Sequence, residues 1–244
     1  MPIESPVVMK TILKCSAVLV LGALTLTRLC AALESVKIEP TFVPSLSPVL
    51  LNRGITNGEV ALVIDVSAEG KLTDWLILGY TDPEMAKFFV DTLKLWKITP
   101  ARVDGVPVAA QVELTAKISA EGVVLSRTAP EMLGDYIQRI TGNPLKYQRS
   151  TVHELDHLPA RLNSISPKYA EEAAKQGVRG KVQVRFYIDE KGAVRMPSVE
   201  PGAHPYLANE AVAAVREWKF EPPTSKGRPV LVAASQEFDF NGEK

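Results

Sequence analysis

The stretch A-N-E-A-V-A-A-V-R-E-W-K-F-E-P-P-T-S-K-G-R-P-V, residues 208–230, decides how this chain is read. Ala208, Ala211, Val212, Val215 and Trp218 recur at the three-and-four spacing of one helical face. Pro222 and Pro223 stop the helix. Gly227-Arg228-Pro229-Val230 then reads as a turn into a strand. A fainter copy, A-K-F-F-V-D-T-L-K-L-W-K-I-T-P-A-R-V-D-G-V-P-V, occupies residues 86–108. Its stripe is Ala86, Phe89, Val90, Leu93 and Trp96, and Pro100 is its stop.

A shift of 122 positions brings the two halves into register without a gap from Gly58/Gly180 to Val108/Val230. Identical pairs are Gly58/Gly180, Val60/Val182, Gly70/Gly192, Pro83/Pro205, Ala86/Ala208, Val90/Val212, Trp96/Trp218, Lys97/Lys219, Pro100/Pro222, Gly105/Gly227, Pro107/Pro229 and Val108/Val230. That is 12 of 51 positions, where typical residue frequencies give about three by chance. The matches fall on turn and packing residues. A period this long does not suit a solenoid, so two tandem units of one fold are expected.

Around each helix the pattern is the same. In E-V-A-L-V-I-D-V (59–66), Val60, Leu62, Ile64 and Val66 alternate with Glu59, Ala61, Val63 and Asp65, as in a strand buried on one face. Gly70 supplies a turn, a strand follows over 72–78, and Thr81 or Asp82 caps a helix over 84–96 that opens with Pro83. Asp104-Gly105 turns into a strand over 106–118. In the second unit a short helix over 170–176 stops at Gly177. A strand with Val182, Val184, Phe186 and Ile188 inward leads to a turn at Gly192. The strand over 194–199 contains Pro197, which marks an edge or a bulge. A final strand spans 231–240.

The expected fold is α+β: two tandem small domains, each a three-stranded antiparallel sheet with one long helix and a short N-terminal helix on one face. The domains run over 33–119 and 151–244. A linker with a short helix at 130–141 spans 120–150. Trp96, Trp218, Phe220, Val182, Val184 and Phe186 are the expected structural core.

Composition narrows the function. Lys10 and Lys14, the apolar run at 15–26 and the small residues Ala31 and Ala32 have the layout of a secretory signal, or else of an uncleaved anchor. Cys15 and Cys30 both lie in this segment, so the mature chain would carry no disulfide, thiol nucleophile or thiolate metal site. Removing Lys10, Lys14, Arg28 and Glu4 leaves 25 basic against 27 acidic residues, a balance unlike that of a nucleic-acid binder.

P-K-Y at 167–169, G-V-R-G-K-V-x-V-x-F-x-I-D-x-x-G-x-V at 177–194, A-V-x-x-W-K-F-E-P at 214–222, G-R-P-V at 227–230 and F-D-F at 238–240 together closely resemble the TonB C-terminal domain. Residues 35–118 resemble a degenerate copy, with Ile98 where Phe220 stands. The resemblance implies a periplasmic domain of a Gram-negative bacterium that takes up the TonB box of an outer-membrane transporter as an added strand. An ExbB–ExbD-type complex supplies the energy. The gripping residues it implies are Leu231, Val232, Ala233, Ala234, Ser235, Gln236, Glu237 and Phe238. It implies no catalysis, cofactor or metal. A periplasmic scaffold without energy transduction stays open, as does pairing of the two units through their own sheet edges.

His153-Glu154-Leu155-Asp156-His157 also spells H-E-x-x-H. On a helix it would offer two zinc ligands and a general base at His153, His157 and Glu154. Pro159 would cut that helix short, and Asp156 puts a charge just before the second histidine, a position normally uncharged in zinc peptidases.

Overall fold

The computed structural model describes residues 33–41, 46–119, 122–126, 145–199 and 202–241. The segment 1–32 and the helix expected at 130–141 lie outside the described residues. The fold is α+β, with short helices and several small antiparallel sheets.

Two short strands, β1 (Leu33–Glu34) and β2 (Lys37–Glu39), precede helix α1 (Pro48–Asn52). The long strands β3 (Asn57–Val66) and β4 (Leu72–Tyr80) form a hairpin. Helix α2 (Pro83–Leu93) opens as its sequence requires: the Asp82 carboxylate accepts the Glu84 N–H at 3.0 Å, and Pro83 sits at the first position, where no N–H is needed. The helix ends at Leu93, and Trp96 N donates to Leu93 O, so Trp96 is still buried below it.

Strands β5 (Lys97–Thr99), β6 (Ala101–Val103) and β7 (Val106–Val108) build two small sheets with β2 and β1. The strand expected over 106–118 is therefore divided. Its first part, β7, pairs with β6, and the rest, β8 (Ala110–Ser119), pairs with β3.

The first sheet has five strands rather than the expected three: β4, β3 and β8 lie between two further short strands. The extra strands come from residues expected to be linker. β9 (Gly122–Ser126) covers the edge of β8, and β10 (Tyr147–Gln148) covers the edge of β4. Each satisfies backbone groups that a three-stranded sheet leaves unpaired.

In the second half, α3 (Glu171–Lys175) is stopped by Gly177 in the left-handed region. β11 (Lys181–Ile188), β12 (Val194–Val199) and β15 (Val232–Asp239) form a sheet in the order β12-β11-β15. A small hairpin of β13 (Thr224–Ser225) and β14 (Arg228–Pro229) precedes β15. β12 is an edge strand. Its register against β11 shifts at Met196-Pro197, where Met196 takes φ 51°. Helix α4 (Pro205–Arg216) lies on one face and buries Ala208, Ala211 and Val215 with Trp218 against Val182, Val184, Phe186 and Ile188.

β3 is not half-buried. Val60, Leu62, Ile64 and Val66 face α2, while Ala61 and Val63, expected in solvent, are also buried. Their face meets the second half, where they pack with Leu78 against Tyr187, Met196 and Leu231. Polar groups rim this contact. Tyr187 OH donates to Glu113 Oε1 at 2.6 Å, Gln111 Nε2 to Met196 O at 3.1 Å, and Arg195 pairs with Asp74 at 3.2 Å. The described residues from 33 onward accordingly form one compact unit, joined through sheet faces and, at one edge, through Ser150, which follows the strand on β4 and bridges Val232.

Two acids are buried on the first half. Asp82 binds Arg53 and Lys146 at 2.7 and 2.9 Å, tying α1, α2 and the approach to β10 together. Burial would raise its pKa. The Lys146 and Arg53 bonds and the Glu84 N–H outweigh that and hold it below the usual value. Glu59 is equally buried, with Lys117 at 3.6 Å as its cation, and desolvation pushes its pKa up.

Candidate partner-binding edge

Ladder geometry decides which groups β15 offers. β15 pairs with β11 without a register shift from Lys181↔Asp239 to Ile188↔Val232. Phe240 N donates to Gly180 O, so Gly180↔Phe240 is a hydrogen-bonded pair. Such pairs alternate along an antiparallel ladder. Val232, Ala234, Gln236 and Phe238 therefore turn their N–H and C=O toward β11, and Ala233, Ser235 and Glu237 turn theirs outward. At the start of β15 the outer side is occupied: Ser150 N donates to Leu231 O at 2.8 Å in a parallel bridge. From Ser235 onward no other strand pairs with this side among the described residues. Ser235, Gln236 and Glu237 are exposed.

A groove of about 470 Å³ runs beside this edge. One wall is the β15 backbone from Val232 to Gln236, and the floor holds Phe186, Trp218 and Phe220. The second wall is a strap at 152–161 that contributes Leu155, Leu158, Pro159 and Arg161. The strap is held in its middle and at its far end: Asp156 accepts the Lys226 and Gly227 N–H groups at 2.8 and 2.9 Å, Glu221 N donates to Ala160 O at 2.9 Å, and Leu162 N donates to Lys219 O at 2.7 Å. Those backbone bonds, Gly227's first, lower the Asp156 pKa.

Trp218, 3 % exposed, is the centre of the aromatic floor. It meets Phe186 edge-on at 6.0 Å and Phe238 at 5.6 Å, and its Nε1 donates to Ile165 O. The Arg161 guanidinium lies 4.4 Å above its ring. Val182 and Val184 are buried under α4 on the same sheet face. In the first half Trp96 is buried beside Phe89 at 6.0 Å. Sequence reading did not find the strap. Its signal is Leu155, Leu158 and Leu162, apolar residues in a stretch that lacks strand alternation.

The H-E-x-x-H string has a different geometry from the one zinc chemistry needs. Val152–Glu154 is one 3₁₀ turn, and Leu155 is extended at ψ 143°, so His153 and His157 do not share a helical face. The Glu154 carboxylate is engaged by Thr151 and the Asp156 carboxylate by the 226–227 turn. His157 lies 4.0 Å from Glu221. Among the described residues no group of three His, Cys, Asp or Glu side chains is placed to hold a metal, and no helix is long and apolar enough to cross a membrane.

No curated protein matches the chain. Among solved structures, the solution structure of the Pseudomonas aeruginosa TonB C-terminal domain matches with 29% identity over 39% of this chain and 96% of that one, at a TM-score of 0.33. The family match is local to the half that carries the open strand edge: residues 165–241 fit the family model of the Gram-negative bacterial TonB protein C-terminal.

Proposed function

We propose that the second half is a TonB-type capture module that takes an extended segment of an outer-membrane transporter onto the outer edge of β15. The observation that carries this reading is the row of outward backbone groups at Ser235 and Glu237, at the end of a TonB C-terminal match. In β-augmentation the backbone supplies affinity in this way and alternate side chains supply selectivity. The neighbouring sheet gives support from within the chain: the edge of β8, which also flanks a long central strand, already holds β9 as an added strand. The protein acts by binding and carries out no chemistry, in the envelope of a Gram-negative cell.

The test is a titration of isotope-labelled protein with a peptide carrying a transporter TonB box. Amide shifts should concentrate on residues 233–239. Ser235→Pro removes an outward N–H without touching the β11 ladder, and proline is tolerated on edge strands. It should abolish binding while leaving the melting temperature within a few degrees. An unshifted β15, or undiminished binding by Ser235→Pro, sinks the reading.

A further inference from the structure

We propose that the groove between β15 and the strap is a side-chain subsite, and that it selects a captured segment carrying an apolar residue with a carboxylate two positions away. This rests on strand capture at β15 and adds what that strand must contain.

The argument starts from side-chain parity. Ala234 and Gln236 share a sheet face with Phe186 and Val184, their partners on β11. A strand added outside β15 therefore presents every second side chain to this same face. The groove lies on that face, floored by Trp218 and Phe220. Ala234 is small and leaves the space above the floor unfilled. At 470 Å³ the groove has the volume of about 16 liquid waters. Apart from Arg161, Ser235 and Gln236, the side chains lining it are apolar, so an apolar side chain seated over them displaces water that has few side-chain partners.

The rim supplies the charge preference. Arg161 makes no ion pair among the described residues, and its guanidinium is stacked on Trp218, which fixes it at the mouth of the groove. A carboxylate on the same face of the captured strand, two residues from the apolar one, meets that cation. The strap carrying Leu155, Leu158 and Arg161 precedes residues 165–241, so this wall is supplied by a part of the chain outside the family match.

The probes are heptapeptides of threonine with leucine or serine at the third position and glutamate or lysine at the fifth, titrated against the full chain and followed by amide shifts. The leucine–glutamate peptide should bind at least tenfold tighter than serine–glutamate, and two- to fivefold tighter than leucine–lysine. Arg161→Glu should reverse the glutamate–lysine order. Ala234→Leu fills the groove and should erase the leucine–serine difference. Leu158→Ser, at a residue 71% exposed and so outside the core, should reduce it if Ala234→Leu fails to fold. Equal binding of all four peptides, each lost in Ser235→Pro, overturns the subsite and leaves strand capture standing. A preference that survives in Ser235→Pro makes the groove a site without strand addition. No binding by these peptides or by the TonB-box peptide overturns both.

Discussion

Gly192→Ala should destabilise the protein far more than Gly227→Ala, although both glycines are left-handed, at φ 80° and 71°. A Cβ on Gly227 meets nothing within 4 Å. Its cost is the left-handed conformation alone, about 1–2 kcal/mol, partly offset by about 0.4–1 kcal/mol from a stiffer unfolded chain. A Cβ on Gly192 falls 2.0 Å from Phe220 O and 2.9 Å from Phe220 C. Backbone must withdraw by about 1.4 Å, from 2.0 to 3.4 Å, to restore an ordinary contact. That withdrawal breaks the bond from Phe220 N to Gly192 O, worth about 0.5–1.5 kcal/mol. It also pushes Phe220 against Phe186 and Trp218, its ring neighbours at 5.9 and 6.1 Å, an overpacking cost of about 1–3 kcal/mol. The total is about 4 kcal/mol for Gly192→Ala against about 1 kcal/mol for Gly227→Ala. At about 2–4 °C per kcal/mol for a chain of this size, calorimetry should show a fall of roughly 8–16 °C against 2–4 °C. Gly70→Ala, whose Cβ falls 2.4 Å from Ile98 O, belongs with Gly192→Ala. Equal losses at Gly192 and Gly227 would refute the close-approach argument.

Two buried carboxylates give predictions of opposite sign in pH. Asp82→Ala removes the cap of α2 and leaves Arg53 and Lys146 free to turn to solvent, so its cost should be about 2 kcal/mol by urea unfolding at pH 7. Because the folded pKa of Asp82 is depressed, its contribution is present above the unfolded value of 3.8 and lost as pH falls through the folded one. The gap between wild type and Asp82→Ala should therefore close in acid, and a gap independent of pH would argue against the ion pairs. Glu59 has a raised folded pKa, so its unfavourable contribution sets in as pH rises past the unfolded value of 4.5. Glu59→Gln should accordingly gain stability at pH 7 and none at pH 4, and a gain equal at both would point to packing instead of charge.

The parts of the fold governed by local chemistry were legible in the sequence. Asp82-Pro83 reads as a helix start because a carboxylate and a missing N–H are what a first turn requires, and the structure places both there. Pro197 reads as an edge or bulge, and β12 is both. The tertiary parts were not legible. In E-V-A-L-V-I-D-V the alternation hid the fact that Ala61 and Val63 are as apolar as their neighbours, the mark of a strand covered on both faces. Gly122–Ser126 is an apolar run, yet its role as a strand depends on the open edge of β8 beside it. The strap was hidden for the same reason: Arg161 meets Trp218 only after the 56 intervening positions have folded.

Covering two faces of the second sheet leaves few places for a partner, and this narrows what the TonB-like half can do. Helices α3 and α4 occupy one face of the β12-β11-β15 sheet, and Ala61, Val63 and Leu78 occupy the other through Tyr187 and Met196. The β12 edge is spoiled for pairing by Pro197, which has no N–H, and by the register shift at Met196, whose carbonyl accepts from Gln111 of the first half. The other edge, β15, is closed at its start by Ser150 and open from Ser235. A captured strand that extends past Ala233 must therefore displace Ser150, and with it the link from β10 to the strap. On the proposed capture at β15, the first half would bear on binding by holding β10 on β4, and so Ser150 on Val232, which sets how much of that edge is free.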